Sequence, residues 1–482
     1  MKVLFAASEA QPLVKTGGLA DVVGALPRAL AALGHDVKVL LPAYPGVLDR
    51  LRTRTTHSNL TDLFGGPAKV EAGRTDTGLD VLAIDAPHLY AKQSAHPYGP
   101  SASVDWEDNH LRFAALGWVA SAIGRGTAGA WVPDIVHAHD WQAGLAPAYL
   151  ALAEEVRPRT VITVHNLAFQ GLFDRKHLAK LRLPESAFAV EGVEFHGQIG
   201  FLKAALHYAD HITTVSPTYA REIQTPEFGA GLDGLLRHRS GQLDGILNGI
   251  DRDEWNPERD RYLPAMYGAH SLAKKAHNKA VLQEALGLAV EPRAPLFCII
   301  SRLSHQKGLD LLLAALPALR AAGAQLAVLG SGDAELTVSF SAAAKAAPTR
   351  VAFRSGWDES LSHRFQGGSD FIVVPSRFEP CGLTQLCGLR YGTVPVVARV
   401  GGLADTVIDA NEAALADGVA TGFQFAPQSA DALQHALLRA VAVHARSDAW
   451  LQMQGRAMSR DFGWERSAQR YAALYENLLA RR

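Results

Sequence analysis

Phe371–Val397, FIVVPSRFEPCGLTQLCGLRYGTVPVV, carries the pattern that sets the fold. FIVVPS is a continuous apolar run, RFEPCG a tight loop, LTQLCGLRYG a helical stretch and TVPVV a second apolar run. Apolar runs without alternation suit parallel strands covered on both faces. The loop then falls beyond the carboxyl end of a strand, where an open α/β sheet holds its ligand. Gly382 lets the backbone come close to a ligand, and the N–H groups of Leu383 and Thr384 open the next helix. With Cys381 they make a candidate phosphate cradle. Glu379 is the odd residue, because a carboxylate is repelled by an anion beside it; it suits a neutral or cation-like part of the same ligand, such as a sugar ring. The other reading is a plain turn and helix start, and this stretch alone does not separate the two.

The neighbouring sequence repeats the rhythm. APLFCIISRL, AQLAVLGSG, RVAFRSG, the quoted stretch and GFQF alternate with helical segments, which implies a doubly wound domain. SRLSHQKGLD follows a strand and precedes a helix, so Arg302 and Lys307 fall at the same sheet edge as the cradle. Two cations there can neutralise a diphosphate and stabilise charge developing on a leaving group; the plainer reading is a pair of solvated surface cations. Trp357, in RSGWDE, also ends a strand near the cradle, whereas Trp106, Trp131 and Trp255 read as core.

The first half has the same build. KVLFAAS, HDVKVLLP, VPDIVHAHDW, TVITVHN and HITTVS read as strands, and LADVVGALPRALAALG as a helix; Ser216 is a candidate N-cap with Pro217 at the first helical position. The fold class expected is therefore α/β, two Rossmann-like, doubly wound domains facing each other across a deep cleft. The turn-rich GILNGIDRDEWNP marks the junction. The expected domains are 1–245, 246–460 and a C-terminal helix, 461–482, packing back across both. The tail from Trp450 reads as helical throughout.

Candidate chemistry in the first half is less specific. Lys15-Thr16-Gly17-Gly18 precedes a helix but matches neither G-x-G-x-x-G nor the P-loop pattern. It can still lend backbone N–H groups and one cation to a phosphate. Asp21 near the helix start complements the helix dipole beside that candidate binding loop. His137, His139 and Asp140 raise the question of a metal, yet no third spaced ligand cluster supports one, so core or hydrogen-bonding histidines are the stronger reading. His165, at a strand end before Asn166, is the better candidate for touching a substrate.

The composition excludes several classes. The chain has 482 residues, 48% hydrophobic and 20% charged, enough for two or three domains with ample core. A net charge of −1 gives no bulk attraction to nucleic acid or to an anionic membrane. No apolar run approaches the roughly 18 residues of a span. The opening MKVLFAASEA reads as a first strand and not a signal peptide. Cys298, Cys381 and Cys387 are odd in number and lack zinc-like pairing, which suits a reducing, cytoplasmic setting.

KTGGLADVVGALP, HAHDWQAGLAPAYL, VHNLAFQG, GILNGIDRDEWNP, SRLSHQKGLD, PSRFEPCGLTQL and GGLADTV together resemble the ADP-glucose-using bacterial glycogen synthase and starch synthase family, in order and over nearly the whole chain. The resemblance implies a GT-B fold and transfer of glucose, with retention, from ADP-glucose to the non-reducing 4-hydroxyl of an α-1,4-glucan, without metal or organic cofactor. It places Lys15, with Gly17 and Gly18 close by, at the donor. His165 falls on the donor sugar near the reacting centre, and Arg302 and Lys307 on the diphosphate. Glu379 falls on the transferred glucose, and the Gly382–Thr384 backbone on phosphate. Asp140 matches a carboxylate near sugar and acceptor, and Asn248 a position beside the donor. Ser304, Trp357 and Val400 depart from the common threonine, tyrosine and threonine; Trp357 keeps an aromatic face for adenine without the hydroxyl. Rival readings are a UDP-sugar enzyme on the same plan, a glycoside hydrolase pairing Asp140 with Glu379, and a non-catalytic glucan-binding protein.

Overall fold

The structure, a computed structural model, describes residues 1–92, 94, 96–101, 104–153 and 156–481. The chain forms two compact units, Met1–Asn248 with Trp464–Arg482, and Gly249–Gly463.

The second unit is built on a six-stranded parallel sheet. Its strands in chain order are Leu296–Ile300, Gln325–Gly330, Val351–Ser355, Phe371–Val374, Val394–Ala398 and Phe423–Phe425. Across the sheet they lie in the order 3-2-1-4-5-6. The apolar runs are there because helices cover both faces: Phe371, Ile372 and Val373 are buried, as are Leu296–Ile300. Phe297 and Phe371 stack with ring centroids 4.5 Å apart, opposite each other in the pairing of the first and fourth strands.

In the first unit seven parallel strands follow the same plan. Chain order is Lys2–Ala6, Asp36–Pro42, Asp80–Asp85, Ile135–His139, Arg159–Val164, His211–Thr214 and Leu243–Gly245, and sheet order is 3-2-1-4-5-6-7. An antiparallel pair, Ala68–Arg74 and Arg52–Leu60, extends the edge beyond Asp80–Asp85. The sequence reading passed over this hairpin, since RTRTTHSNL shows no apolar alternation; the strand is mostly exposed. Ser216 caps its helix as expected, its Oγ accepting from Tyr219 N–H at 3.1 Å with Pro217 following.

The tail corrects one expectation. It is not helical throughout: helices Ser447–Met458 and Trp464–Ala480 are separated by residues 459–463. The break is where the chain leaves the second unit. Ile250 N–H donates to Phe462 O at 2.8 Å, so departing and returning segments lie side by side. Asp461 Oδ1 accepts from Gly463 N–H, closing the turn. Helix Trp464–Ala480 then lies in the first unit's core, with Tyr471 and Tyr475 buried. Tyr475 OH lies 2.7 Å from His137 Nδ1. Tyr475→Ala should destabilise the first unit by about 3 kcal/mol or more, and Tyr475→Phe, which keeps the ring, by only about 1 kcal/mol. Urea unfolding of the two variants checks this; equal losses would contradict a packing role.

Candidate active site

Both sheets reverse their winding between the first and fourth strands, leaving a crevice above the carboxyl ends of those two strands. The loops that emerge there carry almost every candidate residue.

In the second unit these loops are 301–308 and 375–383. Several constraints press them together. Gly308 has φ +64°, and a Cβ on it would collide with Pro375 O. Gly401 (φ +42°) meets the loop from the other side, where a Cβ would collide with Glu379 O. Arg377 grips Asp310 through two bonds of 2.8 and 2.7 Å and also donates to His305 O. Arg377 N–H donates to Gln306 O. These contacts fix the backbone from which the candidate side chains project.

Lys307 Nζ lies 2.5 Å from Glu379 Oε2, which also accepts from Ser376 Oγ at 2.9 Å. Both partners are largely buried, at 21% and 10% side-chain exposure. The sequence reading assigned the lysine to phosphate and the carboxylate to sugar; here the two are an ion pair. Arg302, by contrast, is exposed, and its guanidinium has no protein partner among the described residues. Helix Thr384–Tyr391 begins without a side-chain cap, preceded by Gly382 at φ +70° and Leu383. Gly382, Leu383 and Thr384 are half-buried and Cys381 is buried. Beneath them buried Gln385 donates to the carbonyls of Cys381 and Gly382, holding the turn. Trp357 is 67% exposed, which is unusual for so large an apolar ring.

In the first unit the loop after Lys2–Ala6 is organised by Glu9, which the sequence reading used only as the end of a strand. Buried Glu9 accepts from Thr16 N–H at 2.5 Å, Thr16 Oγ1 at 2.6 Å and Gly17 N–H at 3.3 Å, and from Tyr98 OH. Burial, then the Glu9 carboxylate, hold the Tyr98 phenol well above its ordinary range, so it stays a donor. A charged residue immediately past the first strand of a winding reversal was the available signal. Lys15 pairs with Asp21 at 2.6 Å, and helix Gly18–Ala32 starts behind Gly17 without a side-chain cap. Gly17 has extended backbone, φ −159°, and a Cβ there would meet nothing within 4 Å. Neither conformation nor internal space demands glycine at 17.

Past the fourth strand, Asp140 stands at φ 53° and ψ −170°, a region that costs a non-glycine residue about 1–3 kcal/mol. Its Oδ1 accepts from His165 N–H at 2.7 Å. Burial pushes its carboxyl up from 3.8 to about 7, against the pull of the His165 and Asn166 amides. His165 Nε2 lies 3.0 Å from His139 Nδ1, and burial lowers the His165 imidazole to about 3. His137 has both ring nitrogens occupied, by Tyr475 OH and by Thr163 Oγ1 at 2.6 Å. Burial keeps His137 and His139 well below the ordinary range as well. These are neutral, hydrogen-bonded histidines. Among the described residues, no group with metal-ligand spacing contains His137, His139 or Asp140. Asn248, the last residue of the first unit's main segment, is buried with Oδ1 unpartnered.

Two doubly wound units, each with its candidate loops at a winding reversal, follow the plan of a two-domain, GT-B-like α/β glycosyltransferase, and the comparisons with known proteins agree. Residues 2–238 match the family described as starch synthase catalytic domain, and residues 287–450 the family described as glycosyl transferases group 1. A glycogen synthase of Rhodopseudomonas palustris is 55% identical over 100% of this chain and 99% of its own length. One from Roseobacter denitrificans is 54% identical over 99% of this chain and 100% of its own. The catalytic domain of starch synthase IV from Arabidopsis thaliana, solved bound to ADP and acarbose, superposes with a TM-score of 0.88 at 32% identity, covering 99% of both chains. The chain belongs to the glycogen synthase family. No helix among the described residues is long and apolar enough to cross a membrane.

Asp140 supplies a test of the site's electrostatics. A folded carboxyl raised from 3.8 to about 7 contributes stability below the lower value that is lost as pH rises to the upper one. Asn at this position accepts the same His165 amide and does not titrate. The unfolding free energy of Asp140→Asn relative to the native chain should therefore climb across that window, by about 1.4 kcal/mol per pH unit at most, and level off above it. A pH-independent difference by calorimetry would contradict the assignment.

Proposed function

We propose that the chain transfers glucose, with retention, from ADP-glucose to the non-reducing 4-hydroxyl of an α-1,4-glucan, releasing ADP. The observation that carries this is the second unit's winding reversal. There an unpaired guanidinium, Arg302, and an uncapped helix start at Leu383–Thr384 flank the Lys307–Glu379 pair.

Arg302 and the amides of Leu383 and Thr384 take the diphosphate. Lys307 gains the phosphate as a second anionic partner and stabilises the oxygen that departs with ADP. Glu379, neutralised by Lys307 and braced by Ser376, faces the glucose as C1 acquires positive character. His165, neutral and fixed through His139 and its Asp140-bound amide, hydrogen-bonds the sugar. The acceptor 4-hydroxyl attacks C1 from the face the phosphate leaves. The C1–phosphate bond breaks, the new glycosidic bond forms, and the hydroxyl proton passes to the leaving phosphate. Lys15, Gly17 and Gly18 complete the donor site, Asp21 holding the lysine; Asn248 lies beside the donor, and Trp357 offers its face to the adenine. No metal or organic cofactor enters this step, and the chain acts in the cytoplasm.

Arg302→Ala should cut turnover about 100-fold, near 3 kcal/mol, without changing stability, because the guanidinium has no partner among the described residues. Gly17→Ala should leave unfolding unchanged and raise the donor KM, since its methyl occupies space the protein leaves open. Chain extension of glycogen, assayed with ADP-glucose and UDP-glucose side by side, reads both. Full activity in Arg302→Ala, or preference for UDP-glucose, would overturn the reading.

A further inference from the structure

We propose that Glu254, Glu359 and His363 bind a divalent cation of the zinc class, with Asp260 orienting the histidine from behind. Their ligand atoms lie within 4.8 Å of one another, and all three belong to the second unit. Glu359 opens helix Glu359–Gly368, and His363, four residues on, shares its face. Glu254 comes from the turn-rich segment by which the chain enters this unit.

The histidine gives the cluster its meaning. His363 is 2% exposed at its side chain, and its Nδ1 lies 2.7 Å from Asp260 Oδ2. Asp260 also accepts from Tyr391 OH at 2.7 Å and Tyr262 N–H at 2.9 Å. An acceptor so held fixes the proton on Nδ1 and leaves a lone pair on Nε2, the arrangement that orients metal-binding imidazoles. Trp255 stacks on the ring at 4.1 Å and 4°, which prevents it from turning. Nε2 is buried and has no hydrogen-bond partner. With Nδ1 taken by Asp260, Nε2 is the nitrogen left for a cation.

Size and chemistry agree. A tetrahedral ion with bonds of about 2.1 Å holds its ligands about 3.4 Å apart. The spread of up to 4.8 Å closes by rotation of Glu359, which is exposed. One imidazole with two carboxylates favours zinc or its first-row neighbours over magnesium and calcium. Such an ion would tie the entering segment to helix Glu359–Gly368. The sequence reading foresaw no metal, and Glu254, Glu359 and His363 are none of the residues assigned to donor or glucan, although Glu359 follows Trp357 by two positions.

The test is calorimetric titration of the metal-stripped full chain with zinc, alongside Glu359→Gln and Glu254→Gln/Glu359→Gln. Neither carboxylate is buried in the core, so the variants should fold, which circular dichroism checks. The native chain should take up about one equivalent that the double variant binds at least 100-fold more weakly, with the single variant about 10-fold weaker. Cobalt should quench Trp255, and the quench should vanish in Trp255→Phe. No uptake by the native chain, or equal affinity in the double variant, would overturn the proposal.

Discussion

A parallel sheet that reverses its winding between two neighbouring strands opens a crevice over their carboxyl ends, because the connections depart in opposite directions. Each unit of this chain has one such reversal, between Lys2–Ala6 and Ile135–His139 and between Leu296–Ile300 and Phe371–Val374. The candidate site depends on how tightly the loops at these points are fixed. In the second unit, contacts at Gly308 and Gly401 and the Arg377–Asp310 grip leave the 375–383 backbone little freedom. In the first, one buried carboxylate, Glu9, does the comparable work on Thr16 and Gly17.

The two loop sets manage charge differently. At the second unit's reversal Lys307 and Glu379 balance each other, and Arg302 remains, among the described residues, an unpaired positive charge at the same sheet edge as an uncapped helix start. That balance suits a ligand with an anionic part and an uncharged part. At the first unit's reversal the histidines are neutral because burial penalises their charged forms, and Asp140 is held in strained backbone with its carboxyl near neutrality. Neutral donors and acceptors can hydrogen-bond sugar hydroxyls without repelling a developing positive charge. Histidines kept neutral by desolvation and a carboxyl held in strained backbone are costly for stability, as functional sites often are.

The strands at the second unit's reversal were legible in the sequence because double-sided burial makes them apolar runs, FIVV and LFCII. Ser216 with Pro217 was legible because capping is local. Glu9 was not, since its partners Thr16, Gly17 and Tyr98 come together only through the fold. The Lys307–Glu379 pair was hidden for the same reason: 72 residues separate its members. The hairpin at Arg52–Arg74 escaped because an exposed strand carries no hydrophobic period. The break before Trp464 escaped because Arg460–Gly463 is a turn set by tertiary contact with Ile250, not by composition.

Hydrogen exchange of the full chain with and without ADP-glucose tests the proposed donor contacts most directly. Peptides covering Glu379–Thr384 and Lys15–Gly18 should both slow on donor addition, because their amides and flanking side chains would contact it. Protection of neither segment at saturating donor, with the protein still extending glucan, would contradict the proposed donor contacts.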